Sequence, residues 1–217
     1  MARPRSLPKD GLDKDGSGED GLDAAPTPES LGVWKPTREQ VLSAYNSRMA
    51  DVIAPNLRAV LCGINPSLYS AAVGHHFARP GNRFWPALYG GGITPRLWSP
   101  FEDDRLPELG YGITNMCWRA TARADEVDAE EFRRGRRTLA RKLTRYRPRV
   151  LAILGVMAYR AAFDIKGKIA IGPQPQTIAR VPIYVLPNPS GLNAHYQLPE
   201  LSVAYGRFRE WCESQPA

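Results

Sequence analysis

The 217-residue sequence has little sulfur, few histidines and no long apolar run. Its three cysteines (Cys62, Cys117 and Cys212) share no short spacing. They make no four-thiolate iron–sulfur or zinc site alone, and an odd count argues against a disulfide framework. A reducing, cytoplasmic setting is expected. The N-terminus, MARPRSLPKD, lacks the apolar core of a secretory signal. No stretch approaches the roughly 18 apolar residues that a membrane helix needs. Lysine is scarce as well: Lys9, Lys14, Lys35, Lys142, Lys166 and Lys168 are all there is. No G-x-G-x-x-G or P-loop follows an apolar strand, which disfavours a nucleotide-dependent small-molecule enzyme.

What is present describes a folded protein. Hydrophobic residues make up 43%, enough for a core at this length. The overall charge of +7 is unevenly placed. Residues 1–30 hold four basic and seven acidic side chains, a net −3, so the remainder carries +10. That remainder suits a polyanion, with nucleic acid first, although a plain soluble basic protein has the same charge. Residues 1–30 are rich in Gly, Asp, Pro and Ser and are expected to be a disordered acidic tail. Residues 31–217 are expected to form a single domain.

Thr37 and Gln40 read as a capping box opening a helix. Residues 56–63 read as a buried strand ending at a Gly turn. A helix is expected over 82–89, a short strand over 111–117 and a long helix over 128–146, stopped by Pro148. Residues 150–154 and 181–186 are fully apolar strand candidates, each followed by a helix (to Phe163, and over 198–211). Apolar strands alternating with helices imply a three-layer α/β/α sandwich with a short, mostly parallel central sheet. Ligands bind beyond the carboxyl ends of such strands.

Two of those strand ends carry the same punctuation. Asn65-Pro66-Ser67 follows the first strand and Asn188-Pro189-Ser190 the last. Proline fixes φ and holds the preceding Asn extended, leaving its amide free to point outward. Two ordinary Asn-Pro turns are the plain alternative. Between them, residues 74–85 (GHHFARPGNRFW) pack three aromatics, two histidines and two arginines together. No Cys or carboxylate lies close in sequence to His75 and His76, so a metal is not expected. Phe84 and Trp85 read as core residues.

Gly63-Ile64-Asn65-Pro66, Gly74-His75-His76-Phe77, Pro80-Gly81-Asn82-Arg83-Phe84-Trp85, Thr114-Asn115-Met116 and Leu186-Pro187-Asn188-Pro189-Ser190-Gly191-Leu192 occur in this order. Together they resemble the mismatch-specific uracil/thymine DNA glycosylases, bacterial MUG and eukaryotic thymine DNA glycosylase. The resemblance spans about residues 57–210. It implies an enzyme that flips a nucleotide from duplex DNA and hydrolyses its N-glycosidic bond. G:U or G:T mismatches are the implied substrate, with single strands a further candidate. It implies no cofactor and a monomer.

By the resemblance, Asn65 positions the attacking water, with Asn115 and Thr121 helping to orient it. Ile64, Ser70, His76, Phe77 and Asn82 form the base pocket, with Phe77 stacking on the base. Tyr69 beside them is expected to narrow or extend it. Leu192 is the wedge that fills the vacated stack. Backbone groups of Gly191 and Asn193 read the unpaired guanine, and Asn188 and Ser190 donate to a phosphate. Bacterial relatives carry Lys where Asn115 stands, and Arg where Ala194 stands. The second departure argues against a strict guanine requirement.

Three further readings come from the residues alone. Glu102, Asp103 and Asp104 form an acidic cluster that offers a carboxylate base, or a solvated cap before Leu106. None of the lysines falls in a motif, so the Schiff-base nucleophile of a lyase is missing. The arginines between 133 and 149 occupy several faces and read mainly as a solvated surface. The competing function is a non-catalytic nucleic-acid binding module. If the glycosylase reading holds, one cleft must join Asn65 to Leu192.

Overall fold

The computed structural model describes residues 35–215. The expected acidic tail, and the expected start of the domain near Gly32, lie outside the described residues. Five strands form one sheet: β1 (Ala59–Gly63), β2 (Tyr111–Asn115), β3 (Val150–Leu154), β4 (Gly172–Ile178) and β5 (Val181–Leu186). Their order is β2-β1-β3-β5-β4. All neighbours are parallel except β4, which pairs antiparallel with β5 at one edge.

β1, β3 and β5 are almost wholly buried because both of their faces are covered. Val150, Ala152 and Leu154 point into one core, with Phe84, Leu88, Tyr205 and Phe208 from helices α3 (Phe84–Gly90) and α6 (Leu198–Ser214). Leu151 and Ile153 point into the other, against α4 (Ala129–Tyr146) and α5 (Val156–Phe163). The result is the three-layer α/β/α sandwich, and its fully apolar strands follow from two-sided burial.

The expected boundaries shift where capping decides them. The Thr37–Gln40 capping box opens α1 (Arg38–Ser43). α3 starts two residues late, after an Asx turn in which the Asn82 Oδ1 accepts from the Phe84 N–H at 2.9 Å. Asp128 is the cap of α4 rather than its first residue, and Arg147 closes that helix in the left-handed region. Arg147 and Arg149 therefore lie past it. Four segments are additional to the expected ones: α2 (Leu68–Val73), two 3-10 segments (Pro100–Leu109 and Ala124–Glu126) and β4. β4 reads GPQPQTI; two prolines and alternating exposure suit an edge strand and hide it from an apolar-run search.

Candidate active site

Gly63, Asn115 and Leu154 are the last residues of β1, β2 and β3, and all three line a cavity of about 580 Å³. Of the expected catalytic, base-pocket and DNA-contact residues, all but Gly191 and Asn193 line it. Asn65 and Leu192 therefore share one cleft. Tyr69, expected to shape the pocket, does not line it.

The orientation of Asn65 is set by hydrogen bonds. Its Nδ2 donates to the Arg119 carbonyl at 3.0 Å and to Thr121 Oγ1 at 2.7 Å. The Thr121 hydroxyl is itself turned away, donating to the Arg123 carbonyl at 2.6 Å. Both amide protons of Asn65 are used, and Oδ1 is the atom left to the cavity. Thr121 thus braces the amide, where the sequence suggested a direct role toward water. Arg119 is in turn fixed by Glu131 in the first turn of α4, with Nη2 at 2.8 Å from Oε2. The hydrogen bond from Arg119 holds the Glu131 carboxyl below the usual carboxylate range.

Opposite Asn65, Phe77 sits in the left-handed region (φ 55°), a conformation an aromatic adopts only when its neighbours hold it. His76 does the holding. Its backbone N–H donates to Asp103 Oδ2 at 2.8 Å, and its carbonyl accepts from Trp85 Nε1 at 3.1 Å. Its ring Nε2 donates to the Ala50 carbonyl at 2.9 Å. Burial lowers the His76 pKa below 6.5, keeping the ring neutral. One face of Phe77 stacks on Phe84 at 3.9 Å between ring centroids. The Phe77 backbone N–H has no protein acceptor among the described residues.

The acidic cluster separates under burial. Glu102 pairs with Arg96 and caps its own helical segment through the Ser99 N–H. Asp103 is 3% exposed and outside the cavity, holding His76 and His75, while Asp104 is exposed. The cap reading holds for Glu102, which is buried and ion-paired rather than solvated, while Asp103 is a buried brace for the His76–Phe77 turn.

Asn115 lines the cavity, and no protein group bonds its amide among the described residues. It lies so close over β1 that a Cβ at Gly63 would stand 2.7 Å from its Oδ1. The Ser70 hydroxyl accepts from the Ala78 N–H at 3.1 Å and from Ser67 Oγ at 3.0 Å, tying α2 to the segment carrying Phe77.

Residues 50–210 match the family model described as the uracil DNA glycosylase superfamily. The match covers about three-quarters of the chain. The chain belongs to this superfamily. Its members are glycosylases that hydrolyse N-glycosidic bonds, with DNA as the substrate.

In this superfamily member the second Asn-Pro-Ser corner is built differently from the first. Asn188 folds onto its own turn, its Oδ1 accepting from the Ser190 N–H and its carbonyl from Asn193 Nδ2, both at 2.9 Å. The Asn193 N–H is donated to the Ser190 carbonyl at 2.9 Å, so it is not open to a guanine edge. A Cβ at Gly191 would stand 2.5 Å from the Gly81 carbonyl, so this residue packs the loop down and stays outside the cavity. Leu192 projects from the tip, 79% exposed.

Arg83 has no role legible in the sequence. Its Nη1 donates to the Tyr196 carbonyl at 2.7 Å and its Nη2 to the Asn193 carbonyl at 2.9 Å. Its backbone N–H bonds the Pro189 carbonyl at 3.0 Å. One side chain thus ties both ends of the Leu192 loop to the start of α3. The only signal for it was its place between Asn82 and Phe84. Lys142 pairs with Asp51 at 2.6 Å and Thr114 Oγ1 at 2.9 Å, and no lysine among the described residues lines the cavity. No group of three or more His, Cys, Asp or Glu among the described residues is placed to hold a metal.

Proposed function

We propose that this chain is a monofunctional glycosylase of the mismatch-specific uracil/thymine branch, excising uracil from G:U and related mismatches to start base-excision repair. The observation that carries this reading is the Asn65 amide. With both N–H groups committed, its oxygen is a fixed acceptor in a cavity that Phe77, stacked on Phe84, also lines.

An extruded pyrimidine enters the cavity and stacks on Phe77. The unpartnered Phe77 N–H meets a pyrimidine oxygen, where negative charge grows as the base leaves. The C1′–N1 bond breaks with its electron pair going to the base. Water held by Asn65 Oδ1 then adds hydroxyl to C1′, and its second proton passes to solvent or the departing base. An amide is a poor base, so water is captured late and turnover is slow. That no lysine among the described residues lines the cavity supports release of an intact abasic site without strand cleavage. Ala194 supports tolerance of partners other than guanine.

The test is uracil release from a G:U duplex in the presence of EDTA. Release is expected without strand scission, and Asn65→Ala should reduce it about a hundredfold or more while binding persists. No release by the unsubstituted protein refutes the reading and leaves a binding module.

A further inference from the structure

Leu192 and Met157, at 79% and 65%, are the two most exposed large apolar side chains among the described residues. Single exposed apolar residues are ordinary on protein surfaces. These two are not scattered: both line one groove of about 350 Å³. Leu42, next in exposure, lies on α1 outside it.

The groove adjoins the active site. Leu192, Asn188, Ser190 and Ile64 line both cavities, so the Leu192 loop is the wall between them. Met157 is held on the far side of that wall. It is the second residue of α5, and the preceding turn at Gly155 packs against Asn188. The Arg160 guanidinium rests on the Met157 sulfur at 3.4 Å and is itself anchored on the Gly167 carbonyl at 2.8 Å. No Asp, Glu, Lys or Arg among the described residues lines the groove.

If Leu192 enters the stack where a nucleotide has left, the two cavities face different strands. The larger one takes the extruded nucleotide. The groove behind the wedge faces the strand that stays. We infer that Met157 is a second apolar prong, packing on the sugar and base edges of the opposing strand while Leu192 fills the gap. This inference rests on the glycosylase reading and deepens it. An unbranched thioether adapts its shape and reads no hydrogen-bond pattern, so the grip is indifferent to which base stands opposite. That matches a loop whose Asn193 N–H is already committed within the protein.

The experiment uses duplexes with one non-cleavable 2′-fluoro-deoxyuridine opposite guanine or adenine. 2-Aminopurine is placed beside the lesion on either the opposing or the same strand. Met157→Ala should raise the duplex Kd about tenfold with either opposing base, as expected for losing a buried apolar contact. At saturating protein it should diminish the opposing-strand fluorescence change and leave the same-strand change intact. Met157→Leu should restore both readouts. An unchanged duplex Kd, or loss confined to the same-strand probe, overturns the inference. Absence of uracil release by the unsubstituted protein is a separate result and overturns the glycosylase reading instead.

Discussion

Thr121→Val separates bracing from chemistry. Valine keeps the shape of threonine but removes the acceptor 2.7 Å from Asn65 Nδ2 and the donor to the Arg123 carbonyl. The Asn65 amide has two orientations related by a flip. In the observed one Nδ2 makes two hydrogen bonds; in the flipped one Oδ1 faces the Arg119 carbonyl and Thr121 Oγ1, and both are lost. At about 1 kcal/mol net per bond, the observed orientation is favoured by about 2 kcal/mol, or roughly thirtyfold. With valine one bond remains, and the preference falls to roughly fivefold. The competent fraction then drops only from about 97% to about 83%, so single-turnover excision should stay within about twofold. Stability responds more. The Thr121 site is 2% exposed, and the substitution leaves an Asn65 N–H and the Arg123 carbonyl unpaired. That loss is about 1–3 kcal/mol, or several degrees in Tm for a domain of this size. The assay is single-turnover release from a G:U duplex alongside thermal unfolding of the same preparations. A fall in rate beyond about tenfold with little change in Tm would refute the brace and return Thr121 to the reacting water.

Two further outcomes test the pocket. Gly63→Ala places a Cβ 2.7 Å from Asn115 Oδ1 and 3.4 Å from the Phe77 ring. The Asn115 amide has no partner among the described residues and can rotate aside at about 0.5–1.5 kcal/mol, so Tm should fall by only a few degrees while uracil excision drops about tenfold or more; full activity would remove Asn115 from the site. His76 is held neutral by burial, against the pull of Asp103 and Asp51, so the unfolded chain binds its proton first as pH falls. Stability should therefore decline below about pH 6.5, by at most about 1.4 kcal/mol per pH unit, and urea unfolding of His76→Gln should show a flatter profile there.

Much of this arrangement was legible because its signals are local. Val150–Leu154 and Val181–Leu186 announce themselves as strands since every residue must be apolar when both faces are covered. Thr37 and Gln40 cap α1 within three positions of each other. β4 escaped for the opposite reason: an edge strand is half solvated, and its prolines, which shield the edge, mimic a loop. Asp103 and Asp104 are adjacent and alike on paper; only the third dimension buries one beneath His76 and leaves the other in water.

The roles inside the site depend on partners that no local pattern names. Asn65 and Thr121 are 56 positions apart, and Arg83 reaches Tyr196 across 113. A parallel sheet makes such meetings natural. β1 and β2 run in register, Gly63 beside Asn115, so the loops leaving them climb side by side and Ser67 bridges Thr121. The direction of the neighbouring strand therefore decides what each asparagine can bond. β1 and β5 each lie between two strands, but Asn65 leaves β1 beside the parallel β2, whose outgoing chain brings residues 119–121 up to take both of its amide protons. Asn188 leaves β5, next to the antiparallel edge strand, and its amide closes on its own turn instead. The same three-residue motif thus yields an open polar acceptor in one place and a self-closed turn beneath Leu192 in the other, and the difference lies in the direction of the neighbouring strands.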